Sequence, residues 1–461
     1  MLNSADLEAM DATEMGLRLV ARDLRSEELV AAHLELIEER NPAINAFALR
    51  RPGESLMRAR EMDDELRRGV RRSPVHGVPF TVKDSLDTAG WRTSRGSRVF
   101  ASRVPEVDAT AVRRLIEGGG VLLGKTNVPE FSLWTETDND LVGRTNNPLD
   151  LTRTPGGSSG GESAAIASGM SPMGLGSDVA ISVRGPAHCT GIAALKPTRS
   201  RSPLTGHWPA VPAKSWHIGP MARSVRDLVV MFDLLQGRDE VDPVATTPRA
   251  GRRSGAVTTP LRIGWATSPA FGPVSQEVVR EVERAAEVLA EGASVELASQ
   301  LDRLSDLDAA WVSTTLLRDA IAPLVRGFRD VVTELSPRIR SLALADPPTA
   351  VQLQEAQNSL MMLSATLDEF FVSHDVLLCP VCPSVAPPHG QAHLDIDDTS
   401  VSAPGVMRAT ASFNLTGHPA VSVPFGRSDS GLPINVQVVA RRGHDEVALA
   451  VAGLLERRRV G

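Results

Sequence analysis

Short apolar runs of β character alternate with amphipathic helical stretches along the whole chain. That interleaving leaves one broad solution, an α/β fold in which helices cover a buried sheet. The β-like runs fall at 78–83, 121–123, 376–378, 419–424 and 434–439, the last of them alternating apolar and polar residues. Helical spacing marks 4–68, where Ser4 and Ser26 are placed to cap and Leu29, Val30, His33, Leu34 and Ile37 repeat along one face. It returns at 109–118, ending at Gly118, and again at 163–170, 275–291 and 445–458. Ser224 with Asp227 opens a helix Val225–Leu235 that Gly237 stops. Helical patterns also fill 301–372, broken at Pro323, Pro337 and Pro347-Pro348. The stretch 238–260 is rich in Pro, Gly, Arg and Thr and reads as a surface excursion. No repeat is visible and no shift in composition cuts the chain, so residues 1–461 are expected to form one domain.

Composition narrows the class of function. With 42% hydrophobic and 23% charged residues, the chain can bury a substantial core. Its net charge of −7 has the wrong sign for phosphate backbones, so no nucleic-acid partner is expected. The run Arg457, Arg458, Arg459 reads as a solvated helix end. No window approaches the ~18 apolar residues of a membrane span, and no basic-then-apolar leader opens the sequence. Three cysteines make no disulfide framework and fit a reducing, cytoplasmic setting. Tyrosine is absent, which removes phenols from any mechanism.

The most informative segment is Thr154-Pro155-Gly156-Gly157-Ser158-Ser159-Gly160-Gly161-Glu162-Ser163-Ala164-Ala165. Glycines bracketing two serines ahead of a helix allow unusual torsions and expose several N–H groups. Alone, it is equally an anion nest, a nucleophile loop or a tight structural turn. Its neighbours add meaning: Gly77-Val78-Pro79-Phe80-Thr81-Val82-Lys83-Asp84 and Gly124-Lys125-Thr126-Asn127-Val128-Pro129-Glu130-Phe131 precede it. Gly176-Ser177-Asp178-Val179-Ala180-Ile181-Ser182-Val183-Arg184-Gly185, Gly191-Ile192-Ala193-Ala194-Leu195-Lys196-Pro197-Thr198 and Gly219-Pro220-Met221-Ala222-Arg223-Ser224 follow, and Phe413-Asn414-Leu415-Thr416-Gly417-His418-Pro419 comes late. This ordered set resembles the amidase-signature family of hydrolases, densely over 75–235 and again over 375–456.

The resemblance implies a central twisted mixed sheet with helices on both faces. It divides the chain into N-terminal helices (1–70), a signature core (75–235), a variable and mostly helical pocket and lid region (238–374), and closing strands and helix (375–461). It also implies the roles of three residues. Lys83 matches the family's base lysine, Ser158 the bridging serine that follows a cis peptide bond, and Ser182 the nucleophile. The chemistry is coherent: a serine hydroxyl attacks well only once a base takes its proton. A lysine is such a base only when neutral, and the apolar Val78, Phe80 and Val82 around Lys83 are suited to desolvating it. Backbone N–H groups of Val179, Ala180, Ile181 and Ser182 would hold the oxyanion. Here the chain departs from the family, which usually has two glycines where Ala180-Ile181 stands. A β-branched residue would strain the turn if a positive φ were needed there. Asp178 and Arg184, flanking the nucleophile, read as a structural ion pair.

Other patterns carry less. Gly119-x4-Gly124-Lys125-Thr126 satisfies a phosphate-loop spacing, but Val121-Leu122-Leu123 within it is itself strand-like and Pro129 follows closely. Cys379, Cys382, His389 and His393 have a zinc-like order with short spacing, and buried thiols are the simpler reading. Ser182 does not lie in the G-x-S-x-G elbow favoured by Ser-His-Asp enzymes. No metal and no cofactor are expected. Phe131, Leu133, Trp134, His207, Trp208 and Trp216, in loops flanking the motifs, are candidate pocket residues and favour an aryl or alkyl amide. The resemblance allows a small-molecule amide, ester or carbamate (urethane) as substrate, with water as the second reactant. An esterase with incidental amidase activity and a weakly active binding protein of the same fold are the alternatives. The family also includes an amidotransferase subunit that works on charged transfer RNA with a partner; nothing in the sequence indicates such a partnership, and a monomer or homodimer is expected.

Overall fold

A computed structural model describes residues 2–209, 215–246 and 260–459. In chain order its strands are β1 (Phe47–Arg50), β2 (Pro79–Lys83), β3 (Val121–Thr126), β4 (Met173–Asp178), β5 (Ala193–Lys196), β6 (His217–Ala222), β7 (Arg262–Trp265), β8 (Ser294–Leu297) and β9 (Val376–Pro380). A small hairpin, β10 (His393–Ile396) with β11 (Thr399–Ser402), stands apart, and β12 (Ala420–Arg427) and β13 (Pro433–Ala440) complete the main sheet. That sheet has 11 strands in the order β1-β3-β2-β4-β6-β5-β12-β13-β9-β7-β8. β2 runs parallel to both β3 and β4, and β7 to β8 and β9, while the remaining pairs are antiparallel, so the sheet is mixed. Every residue of β2, β3, β4, β6, β9 and β13 is buried. Because alternate side chains point to opposite faces, both faces of the sheet are covered. Among the described residues no helix is long and apolar enough to cross a membrane.

Helix boundaries follow the sequence where local chemistry sets them. Val225–Leu235 is capped by the Ser224 side chain accepting from the Asp227 N–H, and Thr110–Glu117 ends at Gly118. They depart where tertiary partners intervene. Ser4 and Ser26 are first helical residues, not caps: Asn3 caps the first helix, and the Asp63 carboxylate accepts the N–H groups of Ser26 and Glu27 at 2.7 and 3.0 Å. A carboxylate from a neighbouring helix thus does the capping, and Ser26 Oγ is released to donate to the Gly77 carbonyl. Pro323 does not break its helix, Ala309–Arg326, because only the last turn loses a bond there. β1, β4, β5, β6, β7, β8 and the β10–β11 hairpin fall where no strand was expected. Most of the Pro/Gly-rich excursion, 247–259, lies outside the described residues.

The phosphate-loop spacing dissolves in this fold. Gly124, Lys125 and Thr126 are residues of β3 and open no helix. Lys125 is buried, with Nζ donating to the hydroxyls of Thr88 and Thr93 at 3.0 and 3.1 Å, 3.7 Å from the Asp84 carboxylate.

Candidate active site

The C-terminal end of β2 delivers Lys83 into the interior between β3 and β4. Its side-chain nitrogen lies 2.7 Å from Ser158 Oγ, 3.0 Å from Ser177 Oγ and 3.2 Å from the Ser177 carbonyl. Lys83 and Ser158 are both fully buried. Burial pushes the Lys83 amine down to about 7, against the pull of the Asp178 and Glu162 carboxylates. Ser158 stands at the foot of the Gly160–Ala167 helix, which starts inside the glycine loop and earlier than its periodicity indicated; the Gly157–Ser158 peptide bond is cis. The Ser159 N–H donates to the Ser182 carbonyl at 3.2 Å, which ties the backbone of residue 182 to the residue after Ser158.

Ser177, an acceptor for Lys83 through two of its atoms, has no role in the sequence reading, although it lies inside a quoted motif. Glu162 is a second omission. Its carboxyl takes hydroxyl hydrogens from Thr81 and from Thr126, the latter at 2.8 Å, and burial pushes it up to about 8. Gly174 makes the slot: a Cβ there would stand 1.8 Å from Glu162 Oε1 and 2.7 Å from the Thr81 carbonyl oxygen.

Between β4 and the Arg184–Thr190 helix the chain makes the turn that carries Ser182. Asp178 and Arg184, both wholly buried, clasp it. Asp178 Oδ2 accepts the Val183 N–H and Arg184 Nε, both at 3.1 Å, while Arg184 Nη2 reaches the Ala180 carbonyl at 3.2 Å. Thr410, Asn414 and Gln437 take the remaining guanidinium donors, and Asn414 Nδ2 returns a bond to Asp178 at 2.9 Å. Burial raises the Asp178 carboxyl, but the charge and hydrogen bonds of Arg184 outweigh it and hold the group below the usual carboxylate range. Removing one partner strands the other as a buried charge. Asp178→Ala is therefore expected to lower unfolding free energy by about 3–5 kcal/mol, read from the denaturant midpoint of the purified chain; a change within experimental scatter would contradict this role.

Ala180 and Ile181 are not among the described residues with positive φ, so neither β-branching nor the missing glycines strain the turn. Gly185 provides the space: a Cβ on it would meet Ile181 Cγ1 at 2.6 Å. Among the described residues no backbone bond is donated by the N–H groups of Val179, Ala180, Ile181 or Ser182, so these donors remain available along one edge of a cavity.

That cavity, about 450 Å³, is lined by Val179–Ser182, by Leu133 and Trp134, and by one face each of the helices Ala309–Arg326 and Pro337–Leu344. It is of the size that holds a small organic molecule. Of the sequence-predicted pocket residues, Leu133 and Trp134 line it. Phe131 and Trp208 pack edge-to-face, 4.5 Å between centroids, one layer behind, in a cluster with Ile321. Trp216 supports the turn by packing with Val179 and Ala180, and the His207 ring packs against Trp216 at a tilt, 4.7 Å between centroids. Burial, with the charges of Lys83 and Arg95, pushes His207 down to about 3, so it stands neutral. Cys379 and Cys382 are buried free thiols, His393 is exposed, and no group of three or more metal-binding side chains occurs among the described residues.

Residues 28–449 match the model of the family described as Amidase. The chain is 33% identical to a glutamyl-tRNA(Gln) amidotransferase subunit from Chloroflexus aggregans, over 95% of this chain and 94% of that one. Among solved structures it is similar to an amidase (30% identity, TM-score 0.86, covering 98% of this chain and 100% of that one). It is also similar to 6-aminohexanoate cyclic dimer hydrolase in complex with its substrate (28% identity, TM-score 0.84, 97% of each).

Proposed function

Because the chain belongs to the amidase family, whose members act on carbon–nitrogen bonds, we propose that it is a serine hydrolase of small amides, aryl or alkyl amides, or carbamates, working through an acyl-enzyme on Ser182. The observation that carries this reading is the 2.7 Å contact between a buried, depressed-pKa lysine and Ser158, beside the turn of Ser182. In the first step Ser182 Oγ bonds to the carbonyl carbon, its proton passes to Ser158, and the Ser158 proton passes to Lys83. The carbonyl oxygen, now negative, takes hydrogen bonds from N–H groups of the 179–182 turn. As the carbon–nitrogen bond breaks, Lys83 returns the proton through Ser158 to the leaving nitrogen. Water then attacks the acyl-enzyme by the same relay, releasing the acid and restoring Ser182.

An amine leaves only with a proton delivered to it, whereas an alkoxide or phenoxide leaves without one. Ser158→Ala is accordingly expected to lower kcat/KM for an amide about 10- to 100-fold more than for the matched ester, measured with a p-nitroanilide and the corresponding p-nitrophenyl ester. Equal penalties, with the ester far preferred by the unsubstituted chain, would identify an esterase instead; turnover of neither, with or without a second protein component, would favour a binding protein.

A second reading is favoured by the likeness to one component of an amidotransferase: the chain acts within an assembly. Turnover by the purified chain as monomer or homodimer supports the first reading. Activity that appears only on adding a second protein component supports the other.

A further inference from the structure

The cavity beside Ser182 has a charge pattern that the acyl chemistry does not use. Arg318 and Arg338 both line it, and no Asp or Glu is among its lining residues. The two come from different helices, Ala309–Arg326 and Pro337–Leu344, which converge on the cavity. Arg338 lies on the indole of Trp134, its guanidinium carbon 3.3 Å from the ring centroid. A guanidinium stacked by its face keeps its N–H edge for an in-plane acceptor. Arg318 donates to the backbone carbonyl of Asp346 at 2.9 Å, a neutral acceptor that leaves its charge uncompensated. Glu136 and Asp138 act on Arg338 from a distance. Asp138 belongs to a separate cavity of about 250 Å³, also lined by Glu130 and Asp140, which shares the Trp134–Arg338 partition with the first. Trp134 and Arg338 thus stand between an acid-lined cavity and one whose charged lining residues are the two arginines, while Glu136 lines a third cavity that shares Thr135 and Ile181 with the cavity of Ser182. Between the arginines and the 179–182 turn the wall is mainly apolar, through Leu317, Ile321, Ile339 and Leu342, with hydroxyls from Ser313, Thr314 and Ser341.

We propose, resting on the hydrolase reading of Ser182, that the substrate is an amide bearing a carboxylate on the part remote from the scissile bond, and that Arg318 and Arg338 are the residues that select it. An arginine pairs with a carboxylate through two parallel hydrogen bonds, and such a pair gains strength where water is partly excluded. The chain as a whole carries −7, so its long-range field does not gather anions and the selection is local to the cavity. The apolar wall takes the spacer, an alkyl chain or ring, between the carboxylate and the reacting carbonyl.

The test uses two matched pairs of probes on the full chain. Glutaryl against valeryl p-nitroanilide places the charge on the acyl side, and N-acetyl-4-aminobenzoate against N-acetyl-4-toluidine places it on the amine side. In at least one pair the anionic member is expected to show a kcat/KM about tenfold or more above the neutral one, carried mainly by KM. In the double variant R318Q/R338Q that ratio is expected to fall to within about twofold of unity, and added salt is expected to narrow it in the unsubstituted chain. The inference is overturned if the neutral member is turned over as well or better in both pairs, or if the ratio survives the double variant. Calorimetric binding of the same probes to the Ser182→Ala chain separates the two claims. Anion-selective binding that depends on the arginines, without turnover by the unsubstituted chain, sinks the hydrolase reading and keeps the anion site. Turnover lost in Ser182→Ala, without anion preference, does the reverse.

Discussion

The Ser182→Ala chain is expected to lose amide turnover by a factor on the order of 10⁶ while remaining folded. The magnitude follows from how the site divides its work. The N–H groups of the 179–182 turn and the cavity walls survive the substitution, and such groups alone retain about 10³–10⁴-fold catalysis over water. In the proposed mechanism, what is lost is the oxygen that forms the acyl bond, and with it the covalent route. The fold should tolerate the change, because the contact of residue 182 with the glycine–serine loop runs through its carbonyl and not its hydroxyl. The check is kcat/KM for a p-nitroanilide in parallel with the thermal midpoint. Turnover within tenfold of the unsubstituted chain, with an unchanged midpoint, would falsify the assignment of Ser182 as nucleophile.

Lys83→Met is the second large effect, about 10²–10⁴-fold in kcat/KM, the usual contribution of a positioned general base. Methionine keeps most of the length and apolar volume of lysine, so the surrounding strands β2, β3 and β4 are not asked to collapse. The pH profile carries the more specific information. In the proposed relay Lys83 serves as the base only when neutral, and burial pushes its amine down to about 7. Protonation below that point removes the base, so log kcat/KM for the unsubstituted chain is expected to fall with unit slope as pH drops below about 7 and to level off above it. The residual activity of Lys83→Met is expected to lack that limb. A flat profile in the unsubstituted chain, or the same limb in the variant, would assign the titration to another group. Glu162 is the neighbour to examine, since its carboxyl is itself raised to about 8 and its charge acts on Lys83.

Ala180-Ile181 marks the point at which motif matching stops being informative. From sequence, replacing two glycines beside a nucleophile raises the question of backbone strain. The answer lies in two facts that no linear pattern contains: neither residue has a positive φ, and Gly185 stands where the isoleucine side chain needs room. Each is set by how the turn folds back on the following helix and by the Asp178–Arg184 clasp that holds it. The clasp itself was half visible. Both charged residues flank Ser182 in the motif, but their remaining partners, Thr410, Asn414 and Gln437, come from more than 220 positions away. The aromatic residues near the motifs divide by the same logic. Leu133 and Trp134 face the cavity, whereas Phe131, Trp208, His207 and Trp216 form the layer that holds its wall, because adjacency along a loop does not say which side of it faces solvent.

By itself the sequence determined the α/β class, the helices whose caps are local, and the order of lysine, serines and glycines that marks the family. These depend on periodicity, on capping within one turn and on residue identity, all of which are properties of short windows. Only the tertiary structure decided that Ser177 joins Ser158 around the buried Lys83, that Asp63 caps a helix it does not belong to, and that two arginines from the helical 301–372 stretch line the cavity of Ser182. Those outcomes rest on desolvation and on contacts between residues far apart in the chain, and neither quantity exists until the strands are laid side by side.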